Sequence, residues 1–306
     1  MSKPLVSIMI PTYNRPHFFE RTLQSAMQQK DYDNIEIVIT DNSTNDETEK
    51  LMEKYIKDRR IKYFRNKSAK TKEDNFAPME KLAEGEYLQW LMDDDILAPH
   101  KIAAMMDIFE QNKGITLVSS ERGIIDGNGK YLGKVMHLPA VKEPCSRFAG
   151  ADIGKVTLLD SSNIIGEPSA ALFRRKDLEH HYWRADSRGY LAISDVAMWC
   201  ELFEKGDCVI FFEPLSFYRR HAGQEGQEVD VVFLAMCEWY RLITDYYERK
   251  VFLTEEKEYI QALAKVYFHC RDNLGPFLQQ TTPRMHELFS IVNHEMEIRL
   301  KSAKVL

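Results

Sequence analysis

Short apolar runs alternate with segments whose apolar residues recur at helical spacing. Residues 5–10, 35–40 and 87–92 read as buried strands, and 61–64 as a short strand. Between them, three sets fall on single helix faces: Phe19, Leu23, Ala26 and Met27; Leu51, Met52, Tyr55 and Ile56; Phe76, Met79 and Leu82. Asn14 is placed to cap the first helix, which is expected to end near Gln29. This alternation predicts a parallel sheet with helices on both faces and right-handed crossovers.

The second half is less regular. Residues 99–112 predict a helix with Ile102, Met105, Met106 and Phe109 inward, and 116–119 a strand. Asn128-Gly129 predicts a hairpin turn, because both residues tolerate positive φ. Residues 142–154 carry no pattern and read as a connecting loop, and 170–173 read as a strand. A helix is expected from Asp195, with Val196, Trp199, Leu202 and Phe203 inward, then a strand after Lys205-Gly206. Beyond about 224 the chain turns apolar and aromatic. Leu234, Trp239, Leu242, Ile243 and Tyr246 share a helix face. Thr254 is expected to cap a second helix over 255–272, and Thr282-Pro283 to open a third that nearly reaches Leu306. The implied organisation is an α/β domain over 1–223, split into 1–112 and 113–223, and a helical extension over 224–306.

Composition narrows the class. Hydrophobic residues at 44% and charged residues at 29% of 306 suit a globular core. A net charge of −6 gives no basic excess and argues against nucleic acid as a partner. Five cysteines, an odd count without a CxxC pair, read as reduced cytosolic thiols. The N-terminal apolar run reads as a strand rather than a signal peptide. No stretch approaches the roughly 18–20 apolar residues of a membrane span.

The chemistry gathers where the strands end. Thr12 and Asn14 follow the first, Asp41 and Ser43 the second, and Asp93, Asp94 and Asp95 the run at 87–92. Parallel strands bring these loops to one edge, where open α/β sheets bind ligands. Three consecutive carboxylates there suit Mg²⁺ or Mn²⁺ shared with a substrate's phosphates; a solvated acidic turn that caps the next helix is the alternative. There is no GxGxxG after the first strand and no GxxxxGK[ST], which argues against a dinucleotide site and a P-loop. Lys67, Lys70 and Lys72 lie in a polar loop, where one reaches a diphosphate or all face solvent.

Three stretches, PTYNRPHFFERTLQSAMQQ, IEIVITDNSTNDET and GEYLQWLMDDDILAP, together resemble the nucleotide-sugar half of the family 2 glycosyltransferases, over roughly the first 110 residues. The resemblance implies a GT-A fold, a Rossmann-like α/β/α sandwich with a mostly parallel central sheet. It implies that Thr12, Tyr13 and Asp41 hold base and ribose, within a nucleotide-sugar site that also takes in Pro11, Asn14, Ser43, Lys70, Lys72, Asn75, Asp93, Asp94, Gly166 and Arg220. The family's common form is Asp-x-Asp-Asp; here Met92 stands at the first Asp. On this reading Asp95 is a metal ligand, with Asp93 or Asp94 near ribose or metal-bound water, and His221 completes the metal or diphosphate site.

The turn at 163–170 resembles the family's donor-sugar turn, where Gly166 permits close backbone approach; a plain tight turn is the alternative. Glu167 beside it is a candidate acceptor contact. Ser194-Asp195, the following helix and strand, and Tyr218-Arg219-Arg220-His221 resemble the acceptor half, where the family usually has two acids and the second is the general base. Ser194 replaces the first, which leaves Asp195. Arg219 or Arg220 pairs with phosphate or faces solvent, and Trp183 stacks on an acceptor sugar or anchors its loop.

The implied enzyme is a metal-dependent inverting glycosyltransferase that uses Mn²⁺ or Mg²⁺. Its donor is a nucleoside diphosphate-sugar, UDP by family habit, and its acceptor a hydroxyl of a glycan, lipid-linked glycan or protein, as in cell-surface glycan synthesis. The expected location is cytoplasmic, at most peripheral to the inner face of the membrane. The C-terminal helices pack on the domain, form a homodimer or meet a partner. The rivals are a non-catalytic nucleotide-sugar-binding or scaffold module and a nucleotidyltransferase. The missing Gly-rich, Lys/Arg-bearing loop after the first strand argues against the latter.

Overall fold

A computed structural model describes residues 5–135, 143–180, 189–221 and 228–306. Chain contacts divide the protein into two compact units. The first comprises Met1–Phe148, Ile164–Gly189 and Lys205–His221; the second comprises Ala149–Asn163, Tyr190–Glu204 and Ala222–Leu306.

The first unit is built on one sheet. Its strands are β1 (Val6–Thr12), β2 (Ile35–Asp41), β3 (Ile61–Arg65), β4 (Tyr87–Trp90), β5 (Ile96–Leu97), β6 (Ile115–Asp126), β7 (Tyr131–Val135), β8 (Cys145–Phe148), β9 (Leu172–Arg174) and β10 (Asp207–Arg220). They run in the order β3-β2-β1-β4-β9-β6-β10-β5, with β7 on β6 and β8 on β10. β3, β2, β1 and β4 are mutually parallel, as are β6 and β10, and the short β9 runs antiparallel between the two parallel groups. β1 and β2 are buried at every position, which is why they read as unbroken apolar runs rather than alternating ones. The helices here are α1 (Pro16–Met27), α2 (Glu47–Met52), α3 (Lys72–Phe76), α4 (Met79–Leu82) and α5 (Lys101–Gln111). α1 buries Phe19, Leu23 and Ala26, and α5 buries Ile102, Met105, Met106 and Phe109, the faces their periodicity predicts.

Several expectations need correcting. Asn14 does not cap α1. Pro16 opens that helix without a side-chain cap, and Asn14, at φ 52°, turns toward the loop after β2. The strand expected over 116–119 continues to Asp126 and turns back through Gly129 (φ 90°) into β7. The connector expected over 142–154 contains β8, antiparallel to Cys208–Phe211 of β10, and the start of a helix. An edge strand of four residues leaves almost no periodicity, and its pairing comes from a partner 60 residues away in sequence at Arg147 and Asp207.

The second unit is helical: α6 (Gly150–Asp160), most of α7 (Ser194–Lys205), α8 (Val229–Glu248), α9 (Glu256–His269) and α10 (Pro283–Ser302). α7 buries its predicted stripe and also Ala197, Met198, Cys200 and Glu201, as a helix covered on most sides does. Phe233 of α8 meets Phe289 of α10 edge-on at 4.7 Å, and Lys265 of α9 pairs with Asp160 of α6 at 2.6 Å. α9 is capped by Glu255 through a capping box with Glu258, not by Thr254, while Thr282 caps α10 as expected. All five cysteines are free thiols. Among the described residues no helix is long and apolar enough to cross a membrane.

Candidate active site

In-register pairing of Thr12 with Asp41 brings the carboxyl ends of β1 and β2 level, and β4 delivers the acid turn beside them. Side chains stitch the loops together. Thr12 Oγ1 donates to Asp93 Oδ2 at 2.9 Å, and the Tyr13 N–H to the same oxygen at 3.2 Å. The Asn14 N–H donates to Ser43 Oγ, and the Thr44 N–H to Asn14 Oδ1, both at 2.8 Å. Asn75, buried in α3, donates to the carbonyls of Thr12 and Thr40. Pro11 is buried, whereas Tyr13 leaves 49% of its surface exposed.

Asp41 presents no surface. Its carboxylate accepts from Arg65 at 2.9 Å, from the Tyr63 hydroxyl at 2.7 Å and from the Ser43 N–H at 2.8 Å. It acts here as the anchor of the β2 loop rather than as an open ligand group. Lys70 and Lys72 are exposed where α3 opens, and Lys72 lies over the Phe76 ring at 5.8 Å.

The three acids diverge. Asp94 Oδ2 lies 2.9 Å from His221 Nε2 and 3.3 Å from Arg15 Nη1, and Asp93 Oδ1 lies 3.5 Å from Arg15. Asp95 turns inward, where Oδ1 accepts the Arg219 N–H at 3.2 Å and Ser169 supplies a side-chain hydrogen bond. Expectation put His221 and Asp95 on one ion; the contact observed joins His221 to Asp94. Arg219 is 1% exposed, donates through Nε to the Asp94 carbonyl at 2.8 Å and through Nη1 to the Asp126 carbonyl at 3.0 Å, and lies over Phe18. Arg220 faces out. Strand alternation decides between the two arginines, since neighbours on β10 point to opposite faces. Arg15 carried no pattern that marked it.

Burial, followed by the neighbouring Asp94, pushes the Asp93 carboxyl up to about 7; Arg15, Thr12 and Tyr13 oppose this. The same two causes push Asp95 well up. Lys101, fully buried at the start of α5, donates to the Ala170 carbonyl at 2.7 Å, and burial pushes its ammonium group well down against the attraction of Asp95.

The turn before β9 abuts the acids: the Met92 N–H donates to Ser169 Oγ at 3.0 Å. Gly166 has φ 99°, a conformation that favours glycine, and a Cβ there would displace the Arg122 guanidinium, which lies 2.5 Å from that position. Glu167 pairs with Arg122. Among the described residues no three His, Cys, Asp or Glu side chains form a ready-made metal cage. The donors that meet are the Asp94 carboxylate and the His221 imidazole, with Asp93 on the same Arg15. That set suits Mn²⁺ or Mg²⁺ with substrate phosphates completing the coordination.

Asp195 belongs to the second unit. It is half-buried in the first turn of α7; Oδ2 accepts from Asn163 Nδ2 and Oδ1 from the Val196 N–H, both at 2.8 Å. Trp183 lies outside the described residues.

Comparison with known proteins bears on family and fold. The model of glycosyl transferase family 2 matches residues 7–182. An uncharacterized glycosyltransferase of Methanocaldococcus jannaschii is 31% identical over 134 residues, 43% of this chain and 46% of the relative, so the matched stretch spans about half of that relative's length. A Campylobacter jejuni protein named GalNAc(5)-diNAcBac-PP-undecaprenol β-1,3-glucosyltransferase is 22% identical over 277 residues, 86% of this chain and 81% of the relative. The structure of Staphylococcus aureus TarS (residues 1–349) with UDP-GlcNAc superposes with a TM-score of 0.65 at 14% identity, covering 95% of this chain and 80% of TarS; at that identity the likeness establishes the GT-A fold. With the family model spanning more than half of its length, this chain belongs to glycosyl transferase family 2.

Proposed function

We propose that this protein transfers a sugar from a nucleoside diphosphate-sugar, most simply a UDP-sugar, to an acceptor hydroxyl with inversion at the anomeric carbon. The observation that carries the reading is the acid turn at the end of β4, which His221 and Arg15 meet at Asp94. Tyr13 offers its exposed ring to the base, and Asn14, Ser43 and Asn75 hold the loops that frame it. Asp94 and His221, with Asp93, are the groups for Mn²⁺ or Mg²⁺; when bound, the ion offsets charge on the departing diphosphate. Arg219 holds the acid turn, and the Gly166–Ser169 turn borders it on the donor-sugar side.

Asp195 is the general base. It takes the acceptor proton as the acceptor oxygen bonds to the anomeric carbon and the bond from that carbon to the diphosphate oxygen breaks. A positioned base contributes about 10²–10⁴-fold in rate. The C. jejuni relative is named for a lipid-pyrophosphate glycan, so a lipid-linked glycan at the cytoplasmic face of a membrane is the acceptor we favour. The C-terminal helices would dock there, or on a second copy.

Incubation with UDP-, GDP- and dTDP-sugars and lipid-linked or free glycans, with Mn²⁺ or EDTA, tests the reading. Mn²⁺-dependent release of nucleoside diphosphate with glycan extension supports it. Tight nucleotide-sugar binding with no turnover on any acceptor would instead indicate a non-catalytic module.

A further inference from the structure

Helix α8 lies in the extension that carries no catalytic motif, yet one of its side chains reaches the segment that leads into α7. Glu238 is 4% exposed. Its Oε1 accepts the Leu191 N–H at 2.8 Å, and its Oε2 accepts the Ala192 and Ile193 N–H groups, each at 2.9 Å. Three successive amides on one carboxylate form an anion-binding nest, and charge-assisted bonds of this kind are strong. One turn further along α8, Arg241 lies 3.8 Å from the ring centroid of Tyr190, which is itself buried.

The pinned segment leads directly into the turn that holds Asp195. Ser194 Oγ donates to the Leu191 carbonyl at 3.2 Å, and the Ala197 N–H to the Ile193 carbonyl at 3.0 Å. Asp195 sits between these anchors, with its own oxygens on Val196 and Asn163. A carboxylate placed only to cap α7 would bond the first helical amides. Glu238 instead takes the three amides before the helix, and so sets where the helix begins.

We infer that Glu238 is a positioning residue for the acceptor base: the C-terminal extension is part of the catalytic apparatus because α8 fixes the backbone that aims Asp195. This rests on the reading of Asp195 as base. A misplacement of about 1 Å at a reacting group costs on the order of 10²-fold in rate. Asp at 238 is one methylene too short to span the nest. Gln places an NH₂ group against amide donors.

The test uses the full chain with Glu238→Gln, Glu238→Asp, Asp195→Asn and the Glu238→Gln/Asp195→Asn double variant. Amide hydrogen exchange over 190–200, the affinity for UDP with Mn²⁺, and UDP release from UDP-GlcNAc, UDP-Glc and UDP-GalNAc are read for each. Both Glu238 variants are expected to remain folded and to bind UDP as the parent does. Exchange at 191–193 and in the first turn of α7 should rise about tenfold or more, with UDP release reduced about 10–100-fold. Glu238→Gln should add little loss on top of Asp195→Asn. Unchanged exchange over 190–200, or losses that simply multiply in the double variant, would overturn the inference. Parent-like UDP release by Asp195→Asn would remove the base assignment, while the exchange data would still decide whether Glu238 holds the segment.

Discussion

His221 Nε2 lies 2.9 Å from Asp94 Oδ2, although 127 residues separate them. The contact exists because β10 carries its end past the acid turn, with Arg219 tying the two backbones together at Asp94 and Asp95. Phe18, packed against the His221 ring at 4.8 Å, limits its orientations.

This contact makes the metal assignment testable residue by residue. Asp94→Asn and His221→Ala should each weaken Mn²⁺-dependent UDP binding about 10–100-fold, the scale of a lost charge-assisted contact or ligand. Asp95→Asn should act mainly on stability, because Asp95 faces Arg219 and Ser169. Calorimetric titration of UDP with and without Mn²⁺, beside melting curves, separates the two outcomes. An Asp95 effect confined to Mn²⁺ affinity would restore Asp95 as the ligand.

The base assignment predicts a different signature. Asp195→Asn should leave UDP binding unchanged and reduce sugar transfer about 10²–10⁴-fold. Asn163→Ala removes a donor at 2.8 Å from the Asp195 carboxylate and should reduce kcat with little change in donor KM. Initial-rate kinetics on the acceptor found in the screen give both numbers.

Asp41 and Arg65 form a pair in which the acid has no exposed surface. Arg65→Met would strand a buried carboxylate and should destabilise the protein by about 3–5 kcal/mol. Tyr63→Phe, which removes a single hydroxyl donor, should cost about 1 kcal/mol. Urea unfolding followed by far-ultraviolet circular dichroism measures both.

Acid stability should depend on Glu36. Burial works against its charged form, but the Lys62 ammonium at 2.7 Å, the Ser7 hydroxyl and the Glu84 N–H outweigh it, so the carboxyl lies below its ordinary 4.5. A lowered folded-state pKa gives stability that is complete above the unfolded value and is lost as pH falls through the folded one. Glu36→Gln should therefore lower Tm at neutral pH and flatten the fall in Tm from about pH 5 downward. A parallel fall in both proteins would remove Glu36 as the source.

Much of this molecule is legible from its residues. Apolar runs and helical spacing located β1, β2, α1 and α5, because a strand buried on both faces and a helix buried on one must show those patterns. The order of those elements, and the polar residues that end each strand, implied one ligand-binding edge with the acids in it. Other features depend on partners distant in sequence. β8 exists through its pairing with β10, the turn of Asn14 through the β2 loop, and the separate contacts of Asp94 with His221 and of Asp95 with Arg219 through the end of β10. Glu238 shows the same limit. In sequence it is one of four acids on a largely apolar helix, and only the fold brings three amides of another segment within hydrogen-bonding distance of it. Local pattern records what a residue must bury, whereas which atom it meets is decided when the chain closes on itself, because hydrogen bonds and ion pairs are directional and burial is not.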